Sequence, residues 1–256
     1  MPLTRRRRQE IASLARKKHR EQLGQVLVEG VRSVEAAADA GVALVEIVVD
    51  EAVQNEPRIQ ALLGRADAPV QLVNASEMAA LSDVQASQGV LAVARIQRTS
   101  EADLAACASI LALDGVQDPG NVGTVLRTAA WFGAEAVLAG PGTADFFSPK
   151  VVRAAMGGLW DVRLAQAPDL AEVLRRLQKD GFHLYGADLE GTPARVWQPQ
   201  VPSVLILGSE AHGLSPDVRA ILSERVAIQG AEGRRGAESL NVAVAAGILV
   251  YCWLGR

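Results

Sequence analysis

The stretch LALDGVQDPGNVGTVLRTAAWFGAEAVLAG, residues 111–140, decides the fold class of this chain. An apolar strand ends at Asp114, a Pro-Gly turn follows, and a helix is predicted over residues 122–132 before the next apolar strand. Asn121 is predicted to cap this helix, whose first turn would offer N–H groups to an anionic or polar ligand. The strand signal returns at FHLYGAD, SVLILGS and RVAIQG, with helical stretches between. This pattern predicts an α/β domain with a mostly parallel sheet covered by helices on both faces.

A smaller α/β domain is predicted before this stretch. The sequence VLVEGVRSVEAAADAGVALVEIVVDE indicates strand, helix and strand, and similar signals continue as far as GVLAVARI. The polar stretch RTSEADLAAC that follows is the best candidate linker. The predicted boundaries are a basic N-terminal arm over 1–20, the small domain over 21–98, the linker over 99–107 and the larger domain over 108–256.

Charge is divided unevenly along the chain, although the formal net charge is only −3. Residues 1–20 hold eight basic side chains and one acidic one, whereas the remaining 236 residues hold 18 basic and 28 acidic side chains. Such asymmetry is typical of a phosphate-seeking arm on an acidic enzyme, and the alternative is a solvated basic helix start. The candidate RNA-binding residues are Arg5, Arg6, Arg7, Arg8, Lys17 and Lys18.

Composition excludes several classes of function. Aromatic residues make up 4% of the chain, so base stacking cannot be the main mode of nucleic-acid binding. Cys107 and Cys252 lie in apolar surroundings and are predicted to be small core residues, and no Cys/His cluster suggests a metal site. Without an apolar run of membrane-spanning length or a secretion signal, the protein is expected to be cytoplasmic.

Two further segments carry candidate chemistry. In SVLILGSEAHGLSPDV a strand runs into Gly208, where glycine would permit close approach to a ligand, and Glu210 follows in the loop. In GAEGRRGAESLNVAVAAGILV a glycine-rich loop over 230–236 precedes Ser239 and Asn241 and a small-residue helix. Taken alone, Ser239 could be a helix cap and Arg127, in the first stretch, a solvated helix residue.

The three segments together resemble the motifs of the SpoU family of the SPOUT superfamily of RNA methyltransferases. The motifs are DGVQDPGNVGTVLRTAAWFGA over 114–134, GSEAHGL over 208–214 and SLNVAVA over 239–245. The resemblance implies a C-terminal SPOUT domain with a deep trefoil knot, preceded by a small ribosomal-protein-like α/β/α substrate-binding domain. It also implies a homodimer formed through the knot region that transfers a methyl group from S-adenosylmethionine to a ribose 2′-hydroxyl. Because of the N-terminal domain, ribosomal RNA is favoured over transfer RNA.

The resemblance also implies roles for individual residues. Arg127 is expected to assist the ribose hydroxyl by stabilising the developing alkoxide, because guanidinium is a poor base. The other implied catalytic residues are Asn121, Glu210, Ser239 and Asn241. The implied cofactor-binding residues are Gly208, Ile228, Leu240, Leu207 and Ala187.

Two departures and three alternatives accompany this interpretation. Ala155 replaces a serine common in the family, a change expected to bear on RNA contacts, and Gln229-Gly230 replaces Pro-Met beside the cofactor pocket. The alternatives are a catalytically silent RNA-binding protein of the same fold, a tRNA ribose methyltransferase and a Rossmann dinucleotide-binding protein. The last needs a GxGxxG spacing that the chain does not provide.

Overall fold

The structure is a computed structural model that describes residues 3–82, 84, 87–231, 236 and 238–255. The chain divides into two compact units. Unit 1 comprises Met1–Gln97 together with Asp145–Asp161, and unit 2 comprises Arg98–Ala144 together with Val162–Arg256. The chain therefore leaves unit 2 after residue 144 and returns to it at residue 162. The linear domain boundaries given above do not include this excursion, and they stay a prediction.

The helices and strands of the described residues are numbered here in chain order. The helices are α1 (Arg5–Ser13), α2 (Lys17–Leu23), α3 (Val31–Asp39), α4 (Pro57–Arg65), α5 (Ala75–Leu81), α6 (Pro119–Phe132), α7 (Pro149–Ala155), α8 (Leu170–Lys179), α9 (Pro216–Arg219) and α10 (Val242–Leu254). The strands are β1 (Gln25–Glu29), β2 (Leu44–Asp50), β3 (Val70–Val73), β4 (Val90–Arg95), β5 (Ser109–Asp114), β6 (Ala136–Ala139), β7 (Arg163–Gln166), β8 (His183–Asp188), β9 (Thr192–Pro193), β10 (Ser203–Gly208) and β11 (Glu224–Ala227). Short 3-10 helices lie at Glu101–Ala106 and Gly158–Trp160.

Unit 1 is built on a four-stranded mixed sheet in the order β1-β4-β2-β3. Strand β4 runs antiparallel to both β1 and β2, and β3 runs parallel to β2. Ile11 and Leu14 of the N-terminal segment are fully buried in one core cluster with Met78 of α5 and Leu27 of β1. The segment expected to be a basic arm therefore forms two helices, the first of which packs onto this sheet.

The segment 145–161 completes unit 1. Helix α7 lies against β1, and the 3-10 helix after it lies against α3. Gly157 has φ +96°, and a Cβ there would lie 2.5 Å from the Cβ of Ala36. The two segments of the chain therefore approach too closely for any residue larger than glycine. Ala155 is fully buried, and its methyl group is therefore a packing element of unit 1. The hypothesis that Ala155 alters RNA contacts can hold only through that packing.

Unit 2 is built on a seven-stranded sheet in the order β7-β6-β5-β10-β8-β11-β9. All neighbouring strands pair in parallel. Strands β5, β6 and β10 are almost entirely buried, as expected where helices cover both faces of a parallel sheet. The predicted fold class, α/β with a mostly parallel sheet after a smaller domain, is confirmed, while the trefoil knot stays a prediction. Among the described residues, no helix has the length and apolar character needed to span a membrane.

Candidate active site

The predicted site residues of unit 2 cluster at the carboxyl edge of the parallel sheet. Strand β5 ends at Asp114 and β10 at Gly208, and these two residues are opposite each other in the strand register. Strands β8 and β11 end beside them at Asp188 and Ala227. Loops that leave parallel strands at one edge meet there, and this edge is where open α/β sheets bind their ligands.

Helix α6 begins earlier than the sequence analysis predicted. Asp118 is its N-cap, Pro119 occupies the first turn, and the Asp118 carboxylate accepts the N–H of Asn121 at 2.9 Å. The prediction that Asn121 is the cap is therefore wrong, because an Asp directly before a Pro satisfies the helix start three residues sooner. As a result, the Asn121 side chain does not cap its own helix and forms other contacts.

Asn121 joins two distant parts of the sequence. Its Nδ2 donates to Oε1 of Glu210 at 2.7 Å, and its Oδ1 accepts from Nδ2 of Asn241 at 3.1 Å. Asn241 in turn caps α10, since its Oδ1 accepts the N–H groups of Ala243 and Val244. Both polar atoms of the Asn121 amide are therefore used, so the orientation of this side chain is fixed. Asn121, Glu210 and Asn241 form what we call the polar cluster.

Glu210 lies in a tight turn that glycine makes possible. The backbones of Ser209 and Gly213 exchange two hydrogen bonds, of 3.0 and 2.8 Å. A Cβ on Gly208 would lie 2.2 Å from the carbonyl carbon of Gly213. The space expected at Gly208 for a ligand is thus filled by the protein's own chain. Gly208 is therefore required for the turn, and binding of the cofactor by its backbone groups stays a prediction.

Two of the predicted catalytic residues stand apart from the polar cluster. No hydrogen bond or ion pair of the Arg127 or Ser239 side chain is found in the described part of the chain, and both residues are exposed. Arg127 lies six residues after Asn121, or ~9 Å further along the helix axis. It shares an exposed face of α6 with Trp131, one turn further on. Of five predicted catalytic residues, the structure brings three into contact and leaves Arg127 and Ser239 open to solvent.

Four of the five predicted cofactor-binding residues lie at the carboxyl ends of adjacent strands or in the last loop. Leu207 of β10 and Ala187 of β8 lie at neighbouring register positions, and Ile228 directly follows β11. Leu240 precedes α10, its side chain is 47% exposed, and its backbone N–H has no partner among the described residues. Apolar side chains beside unpaired backbone groups suit a purine, which presents a flat apolar face and a polar edge. The residues present therefore fit an adenosine-bearing cofactor, while the loop over 232–235 lies outside the described residues.

The basic residues of the N-terminal helices fall into two groups. Arg7 is ion-paired with the buried Glu46 at 2.5 Å and with Glu10 at 2.9 Å, and Arg8 is ion-paired with Glu77. The hydrogen bond from Arg7 holds the pKa of the Glu10 carboxyl below its usual range. The buried Arg20 is likewise ion-paired, with Asp145. These three arginines form ion pairs within the protein.

The remaining cations of these helices face solvent. Arg5, Arg16 and Lys18 have no ion-pair partner among the residues that the structure describes. Arg6 and Lys17 reach only a carboxylate one turn away on their own helix, at 3.3 and 3.8 Å. Exposed pairs of this kind contribute little to stability, so these side chains are available to an anionic partner.

Within the described residues, no group of acidic, His or Cys side chains could hold a metal ion. Both cysteines are free, Cys107 being buried and Cys252 partly buried. The Arg163 guanidinium donates to Sγ of Cys107 at 3.2 Å, so this thiol is part of the packing beneath β7.

Comparisons with known proteins match both units. A model described as the SpoU rRNA Methylase family matches residues 108–251, which carry the polar cluster and all ten predicted catalytic and cofactor-binding residues. The chain belongs to the SpoU rRNA methylase family. An MRM3-like substrate-binding domain model matches residues 7–92. The resemblance inferred from the three motifs is thereby confirmed.

Members of the SpoU family resemble this chain over nearly its whole length. The 23S rRNA (guanosine(2553)-2′-O)-methyltransferase RlmP of Bacillus subtilis is 36% identical over 92% of this chain and 90% of its own length. The 23S rRNA (guanosine-2′-O-)-methyltransferase RlmB of Coxiella burnetii is 31% identical over 88% and 93%. An rRNA methyltransferase from Sinorhizobium meliloti, solved with AdoMet bound, superposes with a TM-score of 0.85 at 28% identity over 98% and 95%.

Proposed function

We propose that this SpoU protein transfers a methyl group from S-adenosylmethionine to a ribose 2′-hydroxyl of structured RNA. The observation that carries the proposal is the polar cluster. Residues 121, 210 and 241 come from three separate motifs, and hydrogen bonds gather them at the ligand-binding edge of a parallel sheet. A structural role alone does not require three polar side chains to meet at that edge, whereas a site for a polar substrate does.

The residues proposed to hold the cofactor surround this edge. Leu207, Ala187 and Ile228 would form the apolar walls, and the unpaired N–H of Leu240 would bind a polar atom of the ligand. The cofactor supplies a methyl group already activated by a sulfonium centre. The protein therefore has to bind both partners in line and to favour the nucleophilic form of a weakly acidic hydroxyl.

Arg127 is proposed to perform the second task. Its guanidinium has no partner among the described residues, so it is free to bind the ribose oxygen as negative charge develops. Guanidinium is a poor base, so the contribution of Arg127 is electrostatic stabilisation, and the hydroxyl proton would pass to a phosphate of the RNA. Asn121, Glu210, Ser239 and Asn241 would shape the site around the ribose.

Ribosomal RNA is the proposed substrate class, in preference to transfer RNA. Both named methyltransferase relatives act on 23S rRNA, and the match to a substrate-binding domain begins at residue 7 and includes the exposed Arg16, Lys17 and Lys18. Arg5, Arg6, Lys17 and Lys18 are proposed to bind phosphates of this RNA. Arg7 and Arg8, which were candidates on sequence grounds, would support that surface through their internal ion pairs. The proposed compartment is the cytoplasm, where bacterial ribosomal RNA is modified.

A homodimer formed through the proposed knot region would bury an exposed apolar surface on α6 and α10. Trp131 is 82% exposed and Tyr251 60% exposed, and Tyr251 packs edge-to-face against Phe132, which places the two helices side by side. A surface of this kind marks an interaction site. We expect Trp131→Glu to shift the protein to monomers in sedimentation velocity, whereas Leu189→Ser, at an exposed leucine elsewhere, leaves the dimer intact. A wild-type protein that sediments as a monomer would contradict the assignment.

The function is tested by calorimetry and by methyl transfer. We expect the protein to bind S-adenosylmethionine and not NAD, and to methylate ribosomal RNA when the two are incubated together. Mapping 2′-O-methyl sites in total RNA, with and without the gene, then identifies the nucleotide. Cofactor binding without transfer to any RNA would indicate a silent RNA-binding protein, and methylation of transfer RNA alone would overturn the substrate class.

A further inference from the structure

Asp114 is a buried carboxylate with no role in the site described so far. It is the last residue of β5, is 8% exposed, and has no ion-pair partner among the residues that the structure describes. Its Oδ2 accepts one hydrogen bond, from the backbone N–H of Ser215, at 2.6 Å. A carboxylate is costly to bury, so a buried one that serves a single backbone donor calls for a physical explanation.

That hydrogen bond closes the exit of the turn that carries Glu210. The turn enters from Gly208, whose register partner across the sheet is Asp114 itself. It leaves through the buried Leu214 to Ser215, whose N–H is held by the Asp114 side chain. Asp114 thus fixes the turn at both ends.

Glu210 connects this turn to the polar cluster. The side chain of Ser209 accepts the N–H groups of Ala211 and His212 and so stabilises the turn internally. Glu210, by contrast, points its carboxylate out of the turn to the Asn121 amide at 2.7 Å. A shift of the turn would therefore change the distance between Glu210 and Asn121 before it disturbed the sheet.

We propose that Asp114 is a positioning residue for methyl transfer, whose carboxylate holds the Glu210 turn so that Glu210 stays in contact with Asn121. This inference rests on the proposed function. Charge-assisted hydrogen bonds to a backbone N–H are shorter and stronger than neutral ones, which suits the carboxylate to a task of fixation. Asp114 acts through Glu210 and does not touch the reacting atoms.

The test compares variants that remove the hydrogen bond with variants that keep it. Asp114→Ala removes the acceptor, and we expect kcat to fall about ten-fold or more, as for loss of a charge-assisted hydrogen bond. The S-adenosylmethionine Kd, measured by calorimetry, should change less than kcat. The backbone pairing of β10 with β5 does not depend on the Asp114 side chain, so the strand ends beside the proposed cofactor site stay in place. Asp114→Asn retains an acceptor oxygen and Ser215→Ala retains the donor, so both should keep most of the wild-type kcat.

A double-mutant cycle with Glu210→Ala separates positioning from general support of the fold. If Asp114 acts through Glu210, the double variant should be no slower than Glu210→Ala alone, whereas independent effects would multiply. Should Asp114→Ala fail to fold, Ser215→Pro removes the donor at a φ of −61° that proline adopts, and it enters the cycle instead.

Three outcomes would overturn the inference: wild-type kcat in Asp114→Ala, multiplicative effects in the cycle, or equal losses in the alanine and asparagine variants. A wild-type protein that methylates no RNA would refute the proposed function itself, before any variant is compared.

Discussion

The N-terminal helices and the polar cluster show opposite relations between sequence and structure. In the helices, eight basic residues lie within 20 positions, yet the fold divides them between internal ion pairs and the surface. In the cluster, residues 121, 210 and 241 are far apart in sequence, yet hydrogen bonds join their side chains. Basic residues that are close in sequence thus differ in their surroundings, whereas the residues of the polar cluster, which are far apart in sequence, share one site.

The difference arises from what each region is built on. A helix turns its side chains through all directions, so neighbouring arginines on α1 meet the core, other helices and solvent in turn. Parallel strands all end at one edge, so residues after different strands converge whatever their separation in sequence. Charge density in a short segment is therefore weak evidence of a shared function. A polar residue after each of several strands is stronger evidence.

The largest expected effect on activity comes from removing Arg127, an arginine without an ion-pair partner among the described residues. We predict that Arg127→Ala lowers kcat by about 10²–10³-fold, the usual result of removing one group that stabilises developing charge. Its S-adenosylmethionine Kd and melting temperature should stay at wild-type values, because Arg127 has no partner among the described residues. The measurements are single-turnover methylation and calorimetry. Near-normal turnover would show that Arg127 has no role in the reaction.

The second prediction breaks the convergence of the loops. Gly208→Ala places a methyl group where the backbone of Gly213 lies, so we expect the turn to shift and methylation to fall about ten-fold or more. The matched control is Gly64→Ala in α4, where a Cβ meets nothing within 4 Å and alanine favours the helix. This control should leave activity unchanged. Equal activity in both variants would mean that the turn tolerates the clash.

Much of this architecture was predictable from the sequence, and the reasons for the failures are specific. The parallel sheet followed from apolar runs such as residues 109–114, and the five catalytic candidates from motif resemblance. The identity of the α6 cap was missed although Asp118-Pro119 signals it, because Asn121 is also a good cap residue. The need for Gly208 in its own turn was not predicted, since a glycine needed for a turn and one needed for a ligand have the same sequence signature.

The third prediction sharpens the division among the cations. The triple variant Arg5→Ala, Lys17→Ala, Lys18→Ala should bind RNA more weakly and reduce the slope of log affinity against log salt by about two to three units. Arg7→Met should leave that slope unchanged, because Arg7 is occupied by Glu46 and Glu10. Filter binding across a salt series measures both. An equal decrease of the slope in the two variants would contradict the prediction that only the exposed cations bind RNA.

The smallest expected effect concerns acid. Arg7→Met should lower the melting temperature at neutral pH by roughly 2–4 °C, because both Glu46 and Glu10 lose their ion-pair partner. Arg7 lowers the pKa of Glu10, so the stability from this pair is present above the ordinary glutamate pKa and is lost as pH falls through the lowered value. The gap between variant and wild type should therefore narrow on acidification. A difference in melting temperature that stays constant as pH falls would show that the ion pair with Glu10 does not contribute to stability.

The excursion of residues 145–161 into unit 1 limits how this protein can be recombined. A single exchange near residue 98 would separate Val151 and Val152, both buried in α7, from the strand that α7 packs against. A chimera that borrows a substrate-binding unit from a relative must therefore transplant two stretches of sequence together.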